Sequence, residues 1–130
     1  MRRGVVLLAL NQLRAHEQVC PQRLAVVKAM ILKAGRINNP VIVDRKTKII
    51  LDGHHRVASL RQLNYRLVPA MEVDYFSNQA RVYSRRKNFI IMKAIVVQTV
   101  LKNMIYPQKT TRHLIKNRIR GVNFKLNQLK

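Results

Sequence analysis

Residues 51–56 read LDGHHR: after a short apolar run come an acid, a glycine, two imidazoles and a guanidinium. Those side-chain types, packed into five positions, suit the capture of an anion. Where a strand gives way to a helix, the first helical N–H groups lack intrahelical partners and sit at the positive end of the helix dipole. Phosphate is the natural ligand for such a junction. Gly53 lets the backbone approach a ligand closely and take positive φ if the turn needs it. His54, His55 and Arg56 add donors around the same point, and Arg56 can grip phosphate oxygens through two parallel N–H bonds. Asp52 would repel a bare phosphate, so it needs another role: capping the helix, orienting a histidine or reaching a phosphate-bound Mg²⁺. The plain alternative is a turn with an N-cap and incidental histidines; the density of functional side chains favours a site. Adjacent histidines diverge and no second pair stands at ligand spacing, which argues against zinc and leaves any bound metal unassigned.

A second cluster, KTTRH at 109–113, offers two hydroxyls, a guanidinium and an imidazole in succession. Arg112 matches a carboxylate or a phosphate. Thr110 and Thr111 can donate to the same oxygens or cap a following turn, and the residues alone leave both roles open. Cys20 opens the first long helix, a place where a thiol can be activated, but a cap position is the simpler reading. As the single cysteine of the chain it excludes an internal disulfide framework and fits the reducing cytoplasm.

These clusters need a scaffold. The chain has 130 residues, 48% of them apolar, enough for one domain over 1–130 with a real core. Its 26 Lys and Arg against 5 Asp and Glu give a net charge of +21, a field that attracts polyanions and phosphorylated ligands. The basic residues are scattered rather than gathered into a block, which equally suits solvated faces. The start, MRRGVVLLAL, has a leader-like pair of arginines before an apolar run, but polar NQLRAHE follows at once, so residues 4–10 read as a first strand. No window reaches the ~18 apolar residues of a membrane span. Pro21 and Gly35 bracket a helix with Leu24, Val27, Ile31 and Ala34 on one face. Residues 41–43 and 48–51 form a hairpin around a polar turn, and a helix of about ten residues follows the LDGHHR motif. RLVPAMEVDYF reads as strand. Ile90, Ala94, Val97, Leu101 and Met104 predict an amphipathic helix that Pro107 ends. The remaining tail reads as a loop, a short strand and a last half-turn. The order β-α-β-β-α-β-α predicts a small α+β (mixed α/β) fold, with helices packed on one mixed sheet.

LRAHEQV, then NNPVIVDRKTKIILDGHHRVASLRQLN, then YPQKTTRH together resemble the ParB/sulfiredoxin superfamily, and within it the compact branch related to free L-serine kinases. The likeness runs over roughly residues 5–126 and carries three ordered motifs. It implies a nucleotide-phosphate loop at Asp52, Gly53, His54, His55 and Arg56. It also implies a catalytic carboxylate at Glu17 and an amino-acid pocket using Thr110, Thr111, Arg112 and His113. The implied activity is transfer of a phosphoryl group from ATP or ADP, with Mg²⁺, to the hydroxyl of free serine or a similar amino acid. Such chemistry asks for positioning and charge neutralisation more than for covalent work, and a carboxylate is a competent proton acceptor.

The chain also departs from that pattern. It has no tryptophan, where the kinases it resembles use one to shape the serine pocket. By spacing, the place falls near Arg85, a cation instead of an apolar wall. Sulfiredoxin-type chemistry needs a cysteine where His54 stands, and a partition-type ParB needs a helix-turn-helix domain for which there is no room. The second function class is a nucleotide-responsive DNA- or RNA-binding regulator. It draws on the +21 charge and on the lack of acids beyond Asp74, but no recognition helix is evident.

Overall fold

A computed structural model describes residues 4–130; the leader-like arginines Arg2 and Arg3 lie outside the described residues. Strand β1 (Val6–Ala9) runs into a 3-10 turn at Leu10–Gln12, and helix α1 covers Pro21–Ala34. Strands β2 (Arg36–Ile37), β3 (Val41–Asp44) and β4 (Ile50–Asp52) lead to α2 (His54–Gln62). Then follow β5 (Leu67–Val73), β6 (Ala80–Ser84), α3 (Lys93–Leu101), β7 (Thr111–Ile115), β8 (Phe124–Lys125) and a 3-10 turn at Leu126–Leu129. The fold is α+β.

The central sheet has the order β1-β5-β3-β4; β3 and β5 are parallel and the outer pairs antiparallel. Alternation along β3 sends side chains to two cores. Val41 and Val43 join Ile31, Val57, Leu60 and Val68 beneath α1 and α2. Ile42 joins Met71, Val73, Tyr75, Val96 and Val100 on the opposite face, beneath α3. Coverage of both faces explains why this strand is continuously apolar, VIV, rather than alternating. Gly35 closes α1 as expected: at φ 69° its N–H returns to the Ile31 carbonyl at 2.9 Å. Among the described residues no helix is long and apolar enough to cross a membrane.

Three expectations need correction. The basic stretch RVYSR is not a connector: Ala80–Ser84 is strand β6. It pairs antiparallel with Thr111–Ile115, which the sequence assigned to a loop, and the two make a separate ladder instead of joining one sheet. Both strands keep one face in solvent and carry charge there, so neither shows an apolar run. The helix predicted over 90–104 is shorter, Lys93–Leu101, and turns a different face inward. Val96 and Val100 are buried while Ile90 stays 79% exposed and Met104 61%. Extended backbone through Met92 (φ −139°) delays the helix start and rotates the expected stripe outward.

Candidate active site

The β4–α2 junction forms as its composition suggests. Gly53 sits at φ 106°, and a Cβ there would stand 2.5 Å from Val41 Cγ1. Both facts demand glycine. The first bond of α2 runs from Val57 N–H to the Gly53 carbonyl (3.0 Å), so the amides of His54, His55 and Arg56 precede the intrahelical ladder. Asp52 does not cap the helix. Its carboxylate is bound by Arg118 and stands 3.6 Å from Arg56 Nη2. Burial works against that charge, but the Arg118 hydrogen bond and the attraction of both guanidiniums outweigh it and hold Asp52 below the usual carboxylate range.

The two histidines of the motif do something that sequence reading missed. His54 Nε2 accepts the backbone N–H of His16 at 3.2 Å, and His55 Nε2 accepts that of Cys20 at 3.0 Å. Those nitrogens therefore act as acceptors, not as donors to a ligand. Their effect is to fasten residues 16–20, the segment that carries Glu17, onto the start of α2. Arg56 is also partly committed, with Nη1 donating to the carbonyls of Asn39 (2.7 Å) and Pro40 (3.2 Å).

Segment 14–18 runs as a bridging strand. Arg14 exchanges backbone bonds with Lys48 and Ile50 on one side, and His16 and Gln18 with Tyr106 on the other. This delivers Glu17 to the start of β7. Its Oε1 accepts from Thr110 N–H (3.0 Å) and Thr111 N–H (2.8 Å) and lies 3.0 Å from Thr111 Oγ1; its Oε2 accepts from Lys109 N–H (3.1 Å). Thr110 contributes its amide only. Its hydroxyl is fully buried and donates to the Pro107 carbonyl at 2.6 Å, the turn-capping role rather than the binding one.

Behind the carboxylate three imidazoles meet. His16 lies edge-on to His54 (centroids 4.6 Å) and to His113 (5.1 Å). Burial pushes His54 well below the ordinary imidazole range, helped by the neighbouring rings, and His113 down to about 3. Tyr75 O–H donates to His113 Nε2 at 2.8 Å, and burial keeps that phenol protonated. Burial likewise lowers His16, although the Ile50 carbonyl and the charges of Glu17 and Asp52 oppose it.

Most of these groups border one cleft of about 750 Å³, a volume ordinary for a small-molecule site. Of the residues singled out in the sequence, Glu17, Asp52, Gly53, His54, His55, Arg56, Thr111, Arg112 and His113 line it; Thr110 does not. Arg85 lines it as well. Residues that sequence reading passed over are His16, Arg23 and Arg118. Only His16, next to Glu17 in AHE, carried a local signal. Arg118 leaves its buried Nε without a hydrogen-bond partner among the described residues. Such an orphan donor, the α2 amides and the cleft cation Arg23 fit a polyphosphate. No group of three His, Cys, Asp or Glu suited to a metal occurs among the described residues.

No protein-family model matches the sequence. An ATP-dependent L-serine kinase of Staphylothermus marinus is 35% identical over 81 residues, 59% of this chain and 32% of that protein. A ParB-like protein of Sulfolobus acidocaldarius is 40% identical over 74 residues (55% and 36%). An ADP-dependent L-serine kinase of Thermococcus kodakarensis is 29% identical over 83 residues (61% and 34%). The chain thus spans about a third of the length of the curated relatives it matches. In fold it is similar to a solved free serine kinase in complex with AMP, at TM-score 0.89 and 17% identity over 98% of this chain and 94% of that one. The chain therefore resembles ParB-like domains and free serine kinases, as the three motifs imply.

Proposed function

We propose that this protein is a nucleotide-dependent kinase that phosphorylates the hydroxyl of free serine or a similar hydroxylated amino acid, with ATP or ADP as donor. The observation that carries the reading is the position of Glu17, held across one cleft from the β4–α2 junction by the amides of Lys109, Thr110 and Thr111. The donor's phosphates lie against the amides of His54, His55 and Arg56, with Arg23 and Arg118 neutralising charge. Arg112 binds the acceptor's carboxylate through its paired N–H groups. Glu17 Oε2 keeps lone pairs for the acceptor hydroxyl and takes its proton as the oxygen attacks phosphorus. The new O–P bond forms as the bond to the nucleotide breaks, and the nucleotide leaves one phosphate shorter. Fixed geometry and aimed charge supply the acceleration.

The described residues provide no cluster to hold a resident metal, so any Mg²⁺ the transfer used would come with the nucleotide and would supply charge neutralisation on its phosphates. Asp52 is the one carboxylate at the junction, and its ion pairs with Arg118 and Arg56 limit it to an outer role. The lone cysteine agrees with a cytoplasmic setting.

Incubation with Mg²⁺, ATP or ADP and a panel of hydroxylated amino acids, followed by ³¹P NMR, should yield a phosphomonoester. Glu17→Gln should bind nucleotide as wild type does yet lose turnover by about 10²–10⁴-fold, whereas Arg56→Ala should weaken nucleotide binding. Wild-type turnover in Glu17→Gln would refute the role of Glu17. A chain that forms no phosphomonoester but binds DNA or RNA with a steep salt slope would instead be the basic regulator that its +21 charge permits.

A further inference from the structure

Around Glu17 the cleft holds more positive charge than the chain answers. Arg85 directly follows β6, and its N–H donates to the Thr110 carbonyl at 2.7 Å. The N–H of the same Thr110 donates to Glu17 Oε1 at 3.0 Å, so one residue links the Arg85 backbone to the carboxylate. Arg85 borders the cleft from the β6 side, Arg112 from β7, and Lys109 from the turn before β7. The neighbouring Arg86 is tied down, its Nη2 donating to the Gln108 carbonyl at 2.6 Å. The side chains of Arg85, Lys109 and Arg112 have no such anchor. Among the described residues no carboxylate stands within ion-pair distance of any of them.

The chain's own acids are committed elsewhere. Asp44 is buried and accepts from Thr47, Glu72 pairs with Lys48, and Asp74 accepts the Phe76 N–H. Asp52 pairs with Arg118 and Arg56, and Glu17 keeps Oε2 for the acceptor hydroxyl. Serine as acceptor brings one carboxylate, which Arg112 takes. Arg85 is then left at the Glu17 end of the cleft without a counter-charge. A guanidinium fixed by its backbone at the end of a β-ladder, with its side chain unpaired, is prepared for an anion that arrives with the acceptor.

We propose that the acceptor carries a second anionic group beside its hydroxyl, and that Arg85 is the specificity residue that binds it. The inference rests on the kinase reading and narrows its acceptor to a hydroxylated amino acid with an extra carboxylate. The simplest is 3-hydroxyaspartate, which is serine with a carboxylate on its β-carbon. Arg112 takes the α-carboxylate and Arg85 the β-carboxylate, each through paired N–H groups. The hydroxyl on the same β-carbon stays with Glu17. The transfer is unchanged: the hydroxyl oxygen bonds to phosphorus as the nucleotide leaves, and its proton goes to Glu17. A contact made both before and during transfer acts on KM more than on kcat.

Serine, threonine and 3-hydroxyaspartate differ only in what the β-carbon carries beside its hydroxyl: a hydrogen, a methyl or a carboxylate. With Mg²⁺ and ATP or ADP, kcat/KM for 3-hydroxyaspartate should exceed that for either of the others by about tenfold, with the gain in KM. Arg85→Gln should cut that preference by about tenfold to a hundredfold, and Arg85→Lys, which keeps the charge without the fork, should restore part of it. A preference for serine, or one that Arg85→Gln leaves intact, overturns the inference. So does a loss of nucleotide affinity in Arg85→Gln with the acceptor preference unchanged, since Arg85 then serves the phosphates. Calorimetric titration of the nucleotide-free chain with each acceptor reads recognition without turnover. There 3-hydroxyaspartate should bind about tenfold more tightly than threonine, and Arg85→Gln should remove the difference. That binding pattern with no transfer to any acceptor removes the kinase reading and leaves the anion site standing. Transfer to serine with no tighter binding of 3-hydroxyaspartate leaves the kinase reading standing and removes the role of Arg85.

Discussion

Three neutral imidazoles touching behind one carboxylate carry a cost that shows when the pH falls. His113 is pushed down to about 3, and His54 and His16 are lowered by the same burial. An unfolded histidine takes up a proton near pH 6.5, so below that pH the unfolded chain binds protons that the folded chain refuses. Stability is therefore complete above about pH 6.5 and falls as pH drops below it; for His113, whose window reaches down to about 3, the loss is on the order of 1 kcal/mol per pH unit. Urea titrations from pH 7.5 to 4 should show a falling midpoint that flattens in His113→Gln. A midpoint independent of pH would mean that the rings are not held neutral. At this scale the sequence was half legible. LDGHHR marked a candidate site because it concentrates functional side chains, and Gly53 has the positive φ its turn suggested. That His54 and His55 face backward to hold residues 16–20 depends on partners some 35–38 positions away, which no local pattern encodes.

Among elements, the β4–α2 turn is the one that sets the rest. Gly53 has left-handed backbone, and Val41 of the neighbouring strand occupies the space a side chain would need. Gly53→Ala should cost about 1–3 kcal/mol through backbone strain, with further loss from the clash. Denaturation would read the first effect and nucleotide affinity the second, since the α2 amides move with the turn. An unchanged midpoint would show that the turn relaxes freely. Helix α1 and the β3–β4 hairpin were readable because Pro21, Gly35 and the VIV and IIL runs are local signals of bracketing and burial. Strands β6 and β7 were not, since a ladder with one wet, basic face has no apolar run. Its two strands are also separated by α3, so their pairing is a long-range fact. Strand β7 nevertheless supplies Thr111, Arg112 and His113 to the cleft. A motif that reads as a loop in sequence is thus positioned by a strand.

For the whole molecule, a +21 chain gathers Arg23, Arg85, Lys109 and Arg112 around a cleft bordered, among the described residues, by two carboxylates, Glu17 and Asp52. On the proposed reading such a basin would draw in anionic nucleotide before any specific contact forms. Raising salt from about 0.05 to 0.5 M should weaken ATP or ADP binding by roughly tenfold, as screening shortens the reach of those charges. Calorimetric titration at both salts measures it, and salt-independent affinity would show that the field does not act on the ligand. The central claim is that one cleft holds a nucleotide's phosphates at the β4–α2 junction and an acceptor hydroxyl at Glu17. It is tested most directly by a crystal structure of the chain with ADP and L-serine. The transferable phosphate should meet the amides of residues 54–56, with the serine hydroxyl about 3 Å from the Glu17 carboxylate. Phosphates bound elsewhere, or a Glu17 closed off by the Lys109–Thr111 amides with no ligand in reach, would contradict it.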